Sequence, residues 1–261
     1  MADSVREFYD ELAESYDLII ADWQGSMRRQ ATALDRLIQE QVGAGPHTIL
    51  DCACGIGTQA IGLALLGHTV HATDLSPNAV ARAQREAATR NASLTFGVAD
   101  MRALASQVDG EFDVVLACDN ALPHLLEDDD LRLAIGNMFA KLRPGGLFLA
   151  SIRDYDQLIE ERRRSEGPRV VDDIRGRRIA FQVWDWTNDR SSYRLHQFLL
   201  RQDGEAWQTD HFSVIYRALR PPDLVAALRH AGFALSGIHW HEPEESGYFQ
   251  LIVTAVKAEE G

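Results

Sequence analysis

The run Ile49-Leu50-Asp51-Cys52-Ala53-Cys54-Gly55-Ile56-Gly57-Thr58 constrains this chain more than any other. An apolar strand feeds a glycine turn, and the turn opens a helix. Backbone N–H groups and the positive end of a helix therefore converge on one point. Glycine suits such a turn because a Cβ would stand where a ligand approaches the main chain. A strand–turn–helix unit of this kind belongs in a parallel sheet covered by helices.

The chain keeps that rhythm from residue 47 onward. Residues 47–53 read as a first strand and 58–66, apolar on all sides, as a buried helix. Residues 69–73 read as a second strand, and 77–90 as a helix capped by Ser76 with Pro77 in its first turn. Third and fourth strands fall at 94–98 and 112–118. The segment 128–142 is a helix with three acids at its positive end, stopped by Arg143-Pro144-Gly145-Gly146 before a fifth strand at 147–152. The pattern then changes. Residues 153–164 look helical, while 179–186, 193–201 and 207–219 alternate like strands, with turns at Asn188-Asp189 and Asp203-Gly204. Three neighbouring strands joined by short turns predict an antiparallel meander inserted after strand five. A helix at 221–231 precedes strands at 233–241 and 248–256, whose connection is too short for a parallel crossover. Ahead of the sheet, 4–18 and 26–41 read as two helices flanking Asp22-Trp23.

Charge and composition narrow the function. With 26 Lys and Arg against 39 Asp and Glu, the 261-residue chain carries −13, which disfavours a nucleic-acid partner. No apolar run approaches the roughly 20 residues a membrane span needs, and the first residues lack the basic-then-apolar pattern of a signal peptide. Three cysteines form no disulfide framework, so a reducing cytoplasm is the expected compartment. A small-molecule substrate is expected, and a homo-oligomer stays open.

The loop alone does not name its ligand. Gly55, Gly57 and Ala60 fit the dinucleotide pattern, and Asp74 lies near the distance of a ribose-binding acid, so a nicotinamide-dependent dehydrogenase stays a rival. Asp51 argues against a pyrophosphate. Its carboxylate, placed ahead of the turn, suits a ligand that carries positive charge or donates hydrogen bonds. Asp100-Met101 after the third strand suits an adenine, the carboxylate for the exocyclic amine and the thioether against the ring. Acids after strands one, two and three would line the carboxyl edge of the sheet, where ligands bind in open α/β folds.

At this point the sequence resembles the class I S-adenosylmethionine-dependent methyltransferases, on the D-x-x-C-G-x-G loop at 51–57, Asp74, Asp100-Met101 and Leu142-Arg143-Pro144-Gly145-Gly146. The resemblance implies an α/β, Rossmann-like, seven-stranded and mostly parallel sheet. Its last strand would be antiparallel, helices would cover both faces, and the β insertion would follow strand five. It implies S-adenosyl-L-methionine as cofactor and S-adenosyl-L-homocysteine as product. Asp51, Ala53, Gly55, Gly57, Asp74 and Leu75 would hold the cofactor, together with Asp100, Met101, Cys118 and His124. The layout would be a helical lid (1–46), a cofactor-binding core (47–152), a substrate cap (153–217) and a segment completing the sheet (218–261).

Cys118-Asp119-Asn120-Ala121-Leu122-Pro123-His124-Leu125 and Ser151-Ile152-Arg153-Asp154-Tyr155-Asp156 are similar to the glycine and glycine/sarcosine N-methyltransferases. That family carries N-x-x-x-H-L and R-x-Y-D runs at these places. By this resemblance Arg153 would clasp a substrate carboxylate, Asn120 would orient the substrate, and His124 would face the cofactor's methionyl end or the reacting amine. Tyr155, Tyr193 and Tyr216 would line the substrate site, and Tyr16, Trp23 and Arg29 (or Arg28) would close over the cofactor. Arginine is independently suited to a carboxylate, since its planar fork donates two parallel hydrogen bonds. Plainer readings stand beside these: Arg153 pairing Asp154 or Asp156, His124 bonding its own turn, Asn120 as a turn residue, Tyr16 and Trp23 as core aromatics. The chain departs from the family at 168–174 and Gln197-Phe198, which offer no tyrosines, and this leaves glycine itself in doubt as substrate. Methylation at oxygen, sulfur or aromatic nitrogen, and a non-catalytic cofactor-binding protein, are the alternatives. Cys52 and Cys54 lack partners at metal spacing, and no metal is expected.

Overall fold

The computed structural model describes residues 2–259. Helix α1 (Ala2–Leu12) is followed by a 3-10 turn at Tyr16–Ile19 and by α2 (Trp23–Val42). A single helix over 4–18 is not formed. The chain turns after Leu12, where buried Asp17 is drawn to Arg82 (3.4 Å) and Arg175. Helix α2 starts three residues earlier than the apolar pattern suggests, because the Asp22 side chain accepts the Gly25 N–H at 2.8 Å and caps it.

Then come β1 (Thr48–Asp51), α3 (Thr58–Leu65), β2 (Thr69–Asp74), α4 (Pro77–Thr89), β3 (Thr95–Val98), α5 (Leu104–Gln107), β4 (Phe112–Ala117), α6 (Asp128–Ala140) and β5 (Leu142–Ile152). Successive residues of a buried strand face opposite ways, and here each way meets a core. Ile49, Val114, Leu116 and Leu147 pack with Leu34, Leu37 and Ile38 of α2 and Leu63 of α3. Leu50, Val115 and Phe148 pack with Leu131, Ile135 and Met138 of α6. That double burial explains why the strands read as unbroken apolar runs.

Helix α7 (Tyr155–Glu161) is shorter than the helix expected over 153–164: Asp154 caps it by accepting the Gln157 N–H, and Arg162 ends it in the left-handed region. Next follow β6 (Ser165–Asp173), β7 (Gly176–Trp186), β8 (Ser192–Asp203) and β9 (Ala206–Arg217), an antiparallel sheet of four strands where three were expected. The additional strand, β6, is an edge strand whose side chains are exposed or half-buried, so it carries no apolar alternation to read. Helix α8 (Pro221–Ala231), β10 (Ile238–His241), α9 (Pro243–Ser246) and β11 (Leu251–Val256) complete the chain. Strands β10 and β11 are shorter than the expected 233–241 and 248–256; a 3-10 turn occupies Leu235–Gly237.

The main sheet has the order β10-β11-β5-β4-β1-β2-β3, parallel except for β11, which runs against both neighbours. The order reverses between β1 and β4, opening a crevice at their carboxyl ends. Over it stand α1 and the inner face of the second sheet, joined by an edge-to-face contact of Phe8 and Phe212 at 6.5 Å. Among the described residues no helix is long and apolar enough to cross a membrane.

The two glycines of the first turn do different work. Gly57 has φ +92°, and a Cβ there would lie 2.6 Å from Ile61 Cδ1 and 3.3 Å from Ala83 Cβ. Gly55 has φ +52° and open space around it. Gly57→Ala should therefore lower unfolding stability by about 1–3 kcal/mol in urea titrations, and Gly55→Ala by about 1 kcal/mol, the left-handed penalty alone. Equal losses would contradict this division.

Candidate active site

Two cavities meet above the carboxyl ends of the central strands. The first is a crevice floored by Cys52, Ala53, Cys54 and Gly55 after β1, and walled by Asp74 and Leu75 after β2 and Ala99–Arg102 after β3. Cys118 after β4 and His124 close its far side. The second, about 800 Å³, lies under the four-stranded sheet and is lined by Asn120, Arg153, Gln182, Trp184, Gln197 and Tyr216. Tyr9, Tyr16 and Asp119 belong to both walls and form the neck between them.

Carboxylates dominate the crevice. Asp74 is buried; its Oδ2 accepts the Gly55 N–H and its Oδ1 the Ser76 N–H, each at 2.8 Å. Burial pushes its pKa up against those bonds. Asp51, the last residue of β1, lies buried beneath the floor rather than on the crevice wall, and the same penalty acts on it more strongly. Its Oδ1 accepts the Ala53 N–H at 3.2 Å, but the buried Oδ2 has no partner, and burial raises its pKa to about 7. Asp100 differs from expectation: Arg102 binds both of its oxygens and, against the effect of burial, holds its carboxyl below the usual range. Arg102 also reaches Asp130 at 3.1 Å, so a guanidinium unforeseen in the sequence lines this end of the crevice.

At the other end, His124 Nε2 meets the Tyr9 hydroxyl at 2.8 Å, and its buried Nδ1 makes no hydrogen bond. Burial, reinforced by the charge of Arg153, lowers its pKa to about 3, so the ring is neutral at physiological pH. Arg153 leaves the end of β5 and donates to Tyr193 Oη at 2.9 Å and Gln182 Oε1 at 3.2 Å, with its guanidinium 4.9 Å from the Trp184 ring centre. It forms no ion pair with Asp154 or Asp156, which cap α7 and bind Arg220. Asn120 Oδ1 accepts the Arg153 N–H and the Tyr155 hydroxyl, both at 3.1 Å, leaving its Nδ2 buried and unpaired.

Of the residues singled out in the sequence, the structure brings Tyr16, Ala53, Gly55, Asp74, Leu75, Asp100, Met101, Cys118 and His124 to the crevice wall. It brings Asn120, Arg153 and Tyr216 to the second cavity. Tyr155 and Tyr193 lie buried behind Arg153 and Asn120 rather than on either wall. Gly57 packs against α3 and α4. Trp23 is a correction: it is buried with Met27, Ile56 and Ile61, its Nε1 donating to Thr58 Oγ1 at 2.9 Å, and it fixes the start of α3 instead of covering the crevice. Arg29 is a second correction, an exposed arginine held by Asp22 at the rim of the larger cavity. Sequence reasoning missed Tyr9, whose ring on α1 meets His124 and Tyr16 only through the tertiary fold. It also missed the buried network of Gln30, Gln59 and Tyr248 behind the crevice.

The orphaned Asp51 oxygen, the open space over Gly55 and the two-oxygen acceptor Asp74 fit an amino group and a ribose diol. Met101 adds an apolar surface for a base, and among the described residues Arg102 is the one cation lining the crevice, no cluster for a pyrophosphate. These residues therefore fit the S-adenosylmethionine implied by the resemblance. Between about pH 4 and 7 the ligand-free fold holds Asp51 protonated, so the stability this group contributes falls as pH rises through 7. A cationic amino group favours the carboxylate, and binding should release a proton. Affinity for S-adenosylhomocysteine should thus increase with pH, up to about tenfold per unit below pH 7. Calorimetry in buffers of different ionisation heat reads both effects, and Asp51→Asn should abolish the pH dependence.

Known proteins resemble this chain in sequence and in fold. A methyltransferase-domain family matches residues 49–146. The glycine/sarcosine N-methyltransferase of Parasynechococcus marenigrum is 34% identical over 155 residues, 59% of this chain and 54% of that protein. The enzyme of the same name from Halorhodospira halochloris is 27% identical over 205 residues, covering 76% and 75%. The chain thus spans about half the length of the first and three quarters of the second. A crystal structure of an S-adenosylmethionine-dependent methyltransferase from Clostridium acetobutylicum superposes with a TM-score of 0.72 at 17% identity, covering 97% of this chain and 99% of that one. Residues 49–146 thus match a methyltransferase domain, the whole chain shares the fold of a solved S-adenosylmethionine-dependent methyltransferase, and its sequence is similar to the glycine/sarcosine N-methyltransferases.

Proposed function

We propose that this chain methylates the amine of a small carboxylate-bearing metabolite of the glycine or sarcosine kind. The observation that carries this reading is Arg153. A cation on a cavity wall, hydrogen-bonded to neutral groups and paired with no carboxylate among the described residues, is a receptor for an anion. Its cavity opens onto the cofactor crevice through a neck, so an acceptor anchored by its carboxylate presents its other end to the methyl group. The names of the relatives support the same acceptor chemistry.

When bound, S-adenosylmethionine supplies an electrophilic methyl group on a sulfonium sulfur. The protein's work is then alignment and exclusion of water, and orientation alone is worth about 7–11 kcal/mol. Arg153, steered by Tyr193 and Gln182, fixes the acid end of the acceptor. Asn120, whose oxygen is fully used, has its unpaired Nδ2 available to donate to the acceptor. Neutral His124, joined to Tyr9, closes the methionyl end without adding a positive charge near the sulfonium. In this reading residues 1–46 are the lid, 47–152 the cofactor-binding core, 153–217 the acceptor cap and 218–261 the completion of the sheet.

The cavity favours a variation on this reading. Its volume of about 800 Å³ is in the range of sites for drug-sized ligands, roughly 300–1,000 Å³, far beyond glycine. Its cap-side wall offers the amide pair Gln182 and Gln197, 3.0 Å apart, beside the single phenol of Tyr216. A bulkier amino carboxylate is thus favoured over glycine itself.

Arg153→Ala should raise the acceptor KM at least tenfold, and Arg153→Lys should restore it only in part, since one ammonium cannot form the two parallel bonds. Affinity for S-adenosylhomocysteine, read by calorimetry, should change less than threefold. A methyl-release screen over glycine, sarcosine, dimethylglycine and larger amino acids identifies the acceptor; unaltered KM in the alanine variant would overturn the carboxylate clamp.

A further inference from the structure

We propose that Asp119 binds the acceptor's ammonium group and takes its proton before methyl transfer. This inference rests on the amine-acceptor reading above and deepens it. Asp119 follows β4 and lies, with Tyr9 and Tyr16, on the wall common to both cavities. An acceptor reaching from Arg153 toward the crevice must pass it. Its Oδ2 accepts the Tyr16 hydroxyl at 3.3 Å, its Oδ1 only a 3.5 Å contact from Gln250, and no cation pairs with it among the described residues. A half-buried carboxylate left without an ion pair is a ready partner for a ligand that brings a cation.

The backbone is committed to this placement. Asp119 and Asn120 both adopt left-handed conformations, with φ +55° and +64°, and the Asp119 N–H is held by Ser151 Oγ at 2.7 Å. Two consecutive non-glycine residues in that region store strain where a function requires it. The turn sends Asp119 to the neck and Asn120 to the acceptor cavity beside Arg153. One end of an amino acid thus meets a guanidinium and the other a carboxylate.

The proton step balances. An N–H bond of the ammonium breaks, its electron pair stays on nitrogen, and the proton passes to an Asp119 oxygen and on to water in the larger cavity. The freed pair then forms the N–C bond while the S–C bond breaks with its pair left on sulfur. Burial raises the Asp119 pKa, which makes it a better acceptor than an ordinary carboxylate. The groups facing it are Tyr9 from α1, Tyr16 from the 3-10 turn, Arg153 from the end of β5, Glu166 from β6, Cys118 from its own turn and Tyr248 ahead of β11.

The test compares sarcosine with methoxyacetate, which has the same shape and carboxylate but an ether oxygen for the amine, each titrated into protein saturated with S-adenosylhomocysteine. Wild type should prefer sarcosine, and Asp119→Asn, a residue that tolerates the left-handed conformation, should bind the two within threefold of each other. The same variant should lose about 100-fold or more in kcat/KM at neutral pH and regain activity about tenfold per pH unit toward the amine's own pKa. Tyr16→Phe should move the acidic limb of the wild-type profile to higher pH by removing a donor that favours the charged carboxylate. Retained sarcosine preference with an unchanged pH profile in Asp119→Asn overturns the assignment. So does a matching loss of S-adenosylhomocysteine affinity, which would make Asp119 a cofactor contact. A wild type that methylates only oxygen or sulfur acceptors overturns the amine reading and this inference with it, whereas a wild type that methylates amines while the variant keeps pace overturns this inference alone.

Discussion

Carboxylates withdrawn from water are the constraint around which the site is organised. Removing one from solvent costs several kcal/mol unless neighbours compensate it. The chain treats its three cases differently. Asp74 receives two backbone N–H groups, one of them from Gly55, so the turn after β1 is tied to the end of β2. Asp51 receives a single weak bond, and Asp119 a tyrosine hydroxyl. The last two are therefore the less compensated of the three, and in the reading proposed above each gains its missing partner from the positive charge of a ligand. The glycine turn matters because it lets main-chain donors come close enough to hold one acid while leaving the space above the others open.

Across the neck the sign reverses. A chain of net charge −13 leaves the Arg153 guanidinium without an ion pair among its described residues and surrounds it with phenol, amide and indole groups. Tyr193 and Tyr155 are each fully buried and hydrogen-bonded in series toward Arg153 and Asn120. They contribute by fixing these two side chains rather than by touching a ligand. The opposed charges make the pocket directional: a zwitterion fits one way round, and a simple carboxylate or a simple amine finds only half of its partners.

What could be read from the sequence follows from where physical signals are strong. The central strands were legible because both faces are buried, which leaves unbroken apolar runs at Ile49-Leu50 and Val114-Val115-Leu116. The glycine turn and Asp74 were legible because few residue types work there. Strand β6 was not, since an edge strand with solvated side chains has only backbone pairing to define it. Trp23 illustrates another limit. An aromatic beside a helix start has the same appearance in sequence whether it covers a ligand or plugs the core, and the hydrogen bond to Thr58 that decides between them is a tertiary fact. Tyr9 and Asp119 were missed for a related reason: each gains its meaning from a neighbour 115 or 103 positions away, His124 and Tyr16 respectively.

The way the roof is held separates it from the floor. Helix α2 buries Leu34, Leu37 and Ile38 against the sheet, so the floor of the crevice is continuous with a core. Helix α1 buries Phe8 and Leu12, rests Val5 and Tyr9 on the same core, and with the turn after it is also fastened by polar contacts to α4. Asp10 accepts the Asn78 N–H at 3.1 Å, and Arg82 bonds the Glu14 carbonyl at 3.1 Å and its carboxylate at 3.2 Å. Exposed pairs of this kind contribute about 0–1 kcal/mol each, far less than a packed apolar face. The same helix start that caps on Ser76 and steadies Asp74 thus also holds the roof carrying Tyr9 and Tyr16. Binding at Asp74 and the placing of Tyr9 and Tyr16 over the ligand site draw on one set of contacts around the start of α4.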